Sequence, residues 1–210
     1  MFVEAKEYQK QKAHKKLILG VGINDADYRV FYKVGKIRIL CPYYDRWRGM
    51  LYRCYSPKTQ ARQPTYQGCS ICDEWLTFSN FKKWMQMQDW EGKHLDKDII
   101  QPDNKVYSPE TCAFVDRATN NLLLDAGKAR GPYPQGVTLE RKTGRYMARC
   151  PSNGIRKTIG RFKSINEAEK AYKEFKYNEI IRIADLQSDQ RVKEGLYKHA
   201  ESLNKTPELL

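Results

Sequence analysis

No run of about 18 consecutive apolar residues occurs in this 210-residue chain, which argues against a membrane-spanning helix and leaves membrane out of the expected partners. The start, MFVEAKEYQKQKAHKK, holds no apolar core flanked by a cleavage site, so the expectation is a protein that works in the cytoplasm. Cysteine is scarce: six residues scattered over the chain are too few for a secreted disulfide scaffold, and point to reduced thiols or a metal. Internal repeats and low-complexity tracts are absent. Acidic residues are outnumbered as well, with 25 Asp and Glu against 38 Lys and Arg and a formal charge of +13. The imbalance is concentrated, since residues 126–182 hold 14 Lys and Arg against 5 Asp and Glu. A cationic surface gathered in one region suits a polyanion, and double-stranded DNA is the expected partner. Whether the protein is a monomer or a homodimer is left open by the sequence.

Five segments follow from periodicity and turn chemistry. Residues 1–43 read as an N-terminal arm, lysine-rich to residue 16, followed by short strands at LILGVG, DYRVFY and KIRIL. Residues 44–125 read as a central domain. A helix beginning near Asp45 carries Trp47, Met50, Leu51 and Cys54 on one face, and another over residues 78–88 buries Phe81, Trp84 and Met85. The stretch DAGKARGPYPQG mixes three Gly and two Pro without periodicity, which makes 126–135 a linker. Residues 183–210 form a helical tail, where Val192, Leu196, Ala200 and Leu203 draw a stripe too narrow to fold alone. That stripe must dock, on its own chain by default or on a second copy.

Residues 136–182 carry the clearest pattern. Val137 and Leu139 alternate with Thr138 and Glu140, and Tyr146, Ala148 and Cys150 alternate with Arg145, Met147 and Arg149, the period of strands with one buried face. Turns at Lys142-Thr143-Gly144 and at Pro151-Ser152-Asn153-Gly154 separate the runs. Ser164 and Glu167 then make a capping box ahead of Ala168, Ala171, Tyr172 and Phe175 at helical spacing. The unit is β-β-β-α, and its free sheet face should show Thr138, Glu140, Arg145, Met147, Arg149, Arg156 and Thr158, with Arg141 in the first turn. Guanidinium groups so placed suit guanine edges and phosphates. Gly136-Val137, Gly144 through Ala148, Arg156 through Phe162, and Glu167-Ala168 through Ala171-Tyr172 resemble the plant APETALA/ethylene-response-factor DNA-binding domain. The resemblance implies that the sheet reads DNA. Thr138 and Glu140 stand where the plant proteins place arginine, so their sequence preference does not transfer.

The central segment suggests chemistry. His94-Leu95-Asp96-Lys97-Asp98-Ile99 reads as a short strand with carboxylates, followed by a loop, a second strand and a helix from Arg117 to Leu124. A ββα arrangement of this kind holds one divalent ion beside a base that activates water for phosphodiester cleavage. Trp47 through Cys54, Cys69 through Trp75, Leu95 through Ile99 and Tyr107 through Cys112 resemble the HNH endonucleases of bacteriophages, homing-type enzymes that often carry an APETALA-like domain after the nuclease. The fold class expected is therefore α+β, a degenerate HNH ββα-metal-type domain plus a three-stranded antiparallel sheet packed on one helix. The resemblance implies a Mg²⁺- or Mn²⁺-dependent DNA endonuclease in which Asp96 binds the ion. It departs from the motif at Lys97, where the base histidine is expected, and at Thr111, where a metal-binding Asn is expected. His94 is a displaced candidate base, and Asp98 and Asn104 are candidate replacement ligands, with Asn120 or Asn121 at the polar position of the helix. A nuclease-inactivated DNA binder, or a protein-binding inhibitor on the same scaffold, are the alternatives. Cys69-x-x-Cys72 with Cys54 and Cys112 reads either as buried core thiols or as a Zn²⁺ site.

Overall fold

The structure, a computed structural model, describes residues 17–124 and 131–203. The expected arm at 1–16, the first half of the linker and the last seven residues of the tail lie outside them. The elements, in chain order, are β1 (Phe31–Val34), β2 (Ile37–Leu40), α1 (Pro42–Tyr55), α2 (Pro57–Arg62), β3 (Ser70–Ile71), α3 (Phe78–Gln86), β4 (His94–Asp96), β5 (Val106–Tyr107), β6 (Ala113–Val115), α4 (Arg117–Leu123), β7 (Val137–Glu140), β8 (Arg145–Ser152), β9 (Ile155–Phe162), α5 (Ile165–Asp185) and α6 (Gln190–Ser202), with 3-10 turns at Pro64–Tyr66 and Asp73–Leu76. No helix among the described residues is long and apolar enough to cross a membrane. The chain is mixed helix and sheet, as expected.

Contacts divide it into two compact units. The described part of the first is 17–91 with 104–112, and that of the second is 92–103 with 113–124 and 131–203. The division therefore does not fall at the linker expected over 126–135. It falls inside the segment 44–125, because the strands β4 and β6 and the helix α4 pack with the C-terminal elements.

In the first unit α1 starts three residues earlier than Asp45 because Pro42, whose fixed φ suits a first helical position, stands at N1. The helix stops at Ser56, whose hydroxyl accepts from the Thr59 amide at 3.3 Å and so caps α2. Tyr44, Trp47, Met50, Leu51 and Cys54 recur at helical spacing and are buried. They meet Phe78, Phe81, Trp84 and Met85 of α3, also buried. The joint is aromatic: the Trp47 and Phe78 rings lie 5.4 Å apart and the Trp75 and Phe81 rings 5.1 Å apart, nearly perpendicular in the second pair. Trp47 also donates its Nε1–H to the Trp75 carbonyl at 2.7 Å, which satisfies that buried indole donor. The strand expected at LILGVG is instead a tight turn closed by an Ile18–Gly22 bridge. Leu19 and Gly20 take positive φ there, which no strand accommodates.

In the second unit β4 pairs antiparallel with β6, and α4 follows at once. Asp116 caps α4, accepting from the Thr119 amide at 2.8 Å and the Thr119 hydroxyl at 2.7 Å. The sheet β7-β8-β9 is antiparallel throughout. Its turn into β9 is shorter than the composition suggests: Pro151 and Ser152 remain in β8, and only Asn153 and Gly154, at φ of 50° and 76°, turn the chain. Ser164 caps α5 by accepting from the Glu167 amide at 3.2 Å, and Glu167 accepts in return from the Lys163 amide at 3.1 Å. Val137, Ala148 and Cys150 of the sheet, Ala168, Tyr172 and Ile180 of α5, Val192, Leu196 and Ala200 of α6, and Ile99, Ala113, Val115 and Leu122 form one buried cluster. The tail stripe thus docks on its own chain. Within this cluster, burial pushes the Cys150 thiol up to about 11.

Candidate nucleic-acid interface

Register decides what the sheet shows to solvent. Ala148 and Cys150 lie in the core, so Arg145, Met147, Arg149 and Pro151 point to the opposite face. Residues paired across strands share a face. Thr138 pairs with Met147 and Glu140 with Arg145 on one side. On the other, Arg161 pairs with Met147, Thr158 with Arg149 and Arg156 with Pro151. A register shift between Ala148 and Arg149 leaves Ile159 as the extra residue of a bulge, and Ile159 packs against the core. Strict alternation would have put Arg156 and Arg161 on opposite faces. The bulge puts them on the same one.

The outer face therefore carries Arg145, Arg149, Arg156 and Arg161 with the single carboxylate of Glu140. Thr138, Arg145, Arg156 and Thr158 are exposed, Arg149 is half-buried, and Arg141 is exposed in the turn before β8. Met147 shares the face at 9% exposure, which makes it a floor between Thr138 and Arg161. Glu140 is engaged locally: Thr143 donates its hydroxyl to Oε2 at 2.6 Å, and the Arg161 Nε–H lies 3.2 and 3.1 Å from the two carboxylate oxygens. Those bonds, the one from Thr143 first, hold Glu140 below the usual carboxylate range. Three strands at this spacing span about 10 Å between outer strands, against a major groove about 12 Å wide. Sequence reasoning assigned every one of these positions except Arg161, which only the bulge reveals.

The ββα segment is arranged differently from the expected nuclease site. Asp96 ends β4 half-buried, and its Oδ1 accepts from the Asp98 and Ile99 amides at 2.9 and 2.8 Å. Burial, then the charge of Asp98, push Asp96 up to about 6. Lys97 is 6% exposed, and its Nζ lies 2.9 Å from Asp98 Oδ2. Burial works against the charge on Asp98, yet hydrogen bonds with Asp96 and Lys97 hold it below the usual range. His199 of α6 donates from Nε2 to the Asp98 carbonyl at 3.0 Å. An ammonium already neutralises the carboxylate that a cation would need, and Asp96 spends an oxygen on the backbone.

The remaining candidates do not complete such a site. His94 is exposed at the start of β4, opposite Val115. Asn104 belongs to the first unit, where its side chain donates to the Val106 carbonyl at 2.7 Å and accepts from the Val106 amide at 3.3 Å. Thr111 donates its hydroxyl to the same Val106 carbonyl at 2.7 Å. These bonds close the loop into β5 and supply no ion ligand. Cys54, Cys69 and Cys112 are buried and Cys72 half-buried, none of them in a disulfide. Burial pushes the Cys72 thiol up. Among the described residues no group of three or more His, Cys, Asp or Glu is placed to hold a metal ion. The residues present therefore do not fit the divalent ion of the expected nuclease. Comparison of the chain with family models, with curated proteins and with solved structures finds no match.

Proposed function

We propose that this protein binds double-stranded DNA through the outer face of β7-β8-β9 and does so without cutting it. The observation that carries the reading is the register of β9, whose bulge gathers Arg145, Arg149, Arg156 and Arg161 on one face. Four guanidinium groups offer planar, bidentate donors to phosphate oxygens and to the O6 and N7 of guanine. The excess of cations over residues 126–182 and the resemblance of residues 136–182 to APETALA-type domains support it. The pairing of Asp98 with Lys97 and the amide bonds to Asp96 support binding without cleavage.

Fluorescence anisotropy with a mixed-sequence duplex tests the reading. About four phosphate contacts give a slope of log K against log salt near −3.6, at about −0.9 per contact. Arg145→Ala with Arg149→Ala should weaken binding by roughly 2–5 kcal/mol and reduce that slope by about 2. A folded double variant with wild-type affinity rules out the sheet as the DNA surface. Plasmid nicking in Mg²⁺ or Mn²⁺ by the wild type, abolished in Asp96→Asn, would replace the binding reading with the endonuclease one.

A further inference from the structure

The strands β1 and β2 form a two-stranded ribbon that, among the described residues, pairs with no other strand. Gly35, at φ 61°, and Lys36 make its two-residue turn. Val34 pairs with Ile37 and Tyr32 with Ile39, so these four share one face, while Lys33 pairs with Arg38 on the other. At the base of the apolar face Tyr32 and Ile39 are half-buried, but at the tip Val34 is 58% and Ile37 68% exposed. Two neighbouring aliphatic side chains thus stand in solvent at the end of a narrow ribbon. The charge carried by the ribbon has one sign. Between Asp27 and Asp45 there is no carboxylate, whereas Arg29, Lys33, Lys36 and Arg38 are all present. The Arg38 guanidinium lies 3.7 Å over the Phe31 ring, which stiffens the cationic face.

We infer that this ribbon is a second DNA contact, a wedge that enters the minor groove and drives Val34 and Ile37 between base pairs while Lys33, Lys36 and Arg38 neutralise the flanking phosphates. The inference rests on the DNA-binding reading above and adds deformation of the duplex to it. Apolar wedges on a basic element unstack a base step and kink DNA, and the lost stacking is repaid by added contacts. Charge favours this occupant over a second copy, since residues 28–44 carry four Lys and Arg and no Asp or Glu, so the ribbon of a second copy offers no carboxylate to offset them. Area disfavours a bilayer, because two aliphatic side chains bury too little surface to hold a protein on lipid.

The test uses the full chain and a duplex of about 20 base pairs with a central TA step and a donor–acceptor dye pair at its ends, about 68 Å apart at about 3.4 Å per base pair and far shorter than the ~150-base-pair persistence length, so that a kink brings the ends together. Wild type should raise energy transfer on binding. Val34→Ser with Ile37→Ser should bind about tenfold more weakly and leave the duplex straight, and both positions are exposed enough for the fold to persist. Lys36→Glu, which touches no apolar group, should reduce the salt slope by about 1. Equal bending by wild type and the serine variant overturns the inference. So does a dimer in sedimentation that the serine variant converts to monomer with unchanged DNA geometry, or wild-type binding to phosphatidylserine vesicles that the serine variant loses. If Arg145→Ala with Arg149→Ala leaves affinity intact while the ribbon variants abolish it, the sheet reading fails and the ribbon stands. If wild type binds no duplex at all, both fall.

Discussion

Replacing Gly195 by alanine separates a docked α6 from a loose one by the sign of a stability change. In a helix that touches nothing, Gly→Ala stabilises by about 1 kcal/mol, because glycine loses more backbone freedom on folding. Gly195 is in the middle of α6, and a Cβ there would fall inside contact distance of the Ile99 carbonyl oxygen, 2.7 Å from Ile100 Cα and 3.0 Å from the Ile100 oxygen. Those are backbone atoms, which cannot swing aside as a side chain does. Relief requires lifting α6, and with it Val192, Leu196 and Ala200, at 2%, 0% and 0% exposure. Overpacking costs about 1–3 kcal/mol where side chains can adjust, and uncovering one leucine adds about 1.5–3 kcal/mol. We expect a net loss of about 2 kcal/mol or more, a fall in Tm of roughly 4–8 °C for a chain of this size. Tryptophan emission is the wrong probe, since Trp47, Trp75, Trp84 and Trp90 all belong to the first unit. Amide hydrogen exchange along α6, with far-ultraviolet circular dichroism in urea, reads the second unit. A Gly195→Ala protein about 1 kcal/mol more stable than wild type, with unchanged exchange in residues 98–100, would refute the docking argument.

Two further substitutions probe the sheet and the buried carboxylates. Gly136→Ala places a side chain at φ +78°, 2.7 Å from the Arg149 carbonyl and against the Tyr172 ring; left-handed strain of about 1–2 kcal/mol plus overpacking of about 1–3 kcal/mol should destabilise the second unit in urea titrations. Gly154→Ala, at φ +76° with nothing within 4 Å, should show the strain alone, and equal losses for the two would remove the close approach from the account. Asp96 has a folded pKa raised to about 6 from 3.8, so its contribution is fully present below pH 3.8 and lost as pH rises through 6. Asp96→Asn keeps an oxygen for the two amides, and should flatten stability between about pH 4 and 6 and leave the variant the more stable protein at pH 7; steeper pH dependence in the variant would contradict this.

The β-β-β-α unit was legible because each of its signals is local. Alternation in residues 145–150, the Lys142-Thr143-Gly144 turn and the Ser164 cap each act within a few residues. Arg161 was not legible, since a bulge is set by how β9 meets β8, and one extra residue inverts every face beyond it. The Leu17–Gly22 stretch has the apolar content of a strand, but positive φ at Leu19 and Gly20 overrides it. β3 and β5, two residues each, exist only because distant segments pair in parallel, and no window of sequence contains both. At the candidate nuclease site the residue types Asp96, Lys97 and Asp98 were visible. Their engagement with one another and with backbone amides was not, because it depends on burial under α6.

The chain passes between its two units three times, after residues 91, 103 and 112. Neither unit is therefore a continuous piece of polypeptide, and no single scission releases one intact. A cut anywhere in 125–130 would strip Ile99, Ala113, Val115 and Leu122 from the core they share with α5 and α6. Synthesis meets the same geometry in time. The first unit can close once residue 112 has left the ribosome, but the loop 92–103 must wait about ninety further residues for Leu196 and Ala200, so the core of the second unit is completed only when α6 has been made.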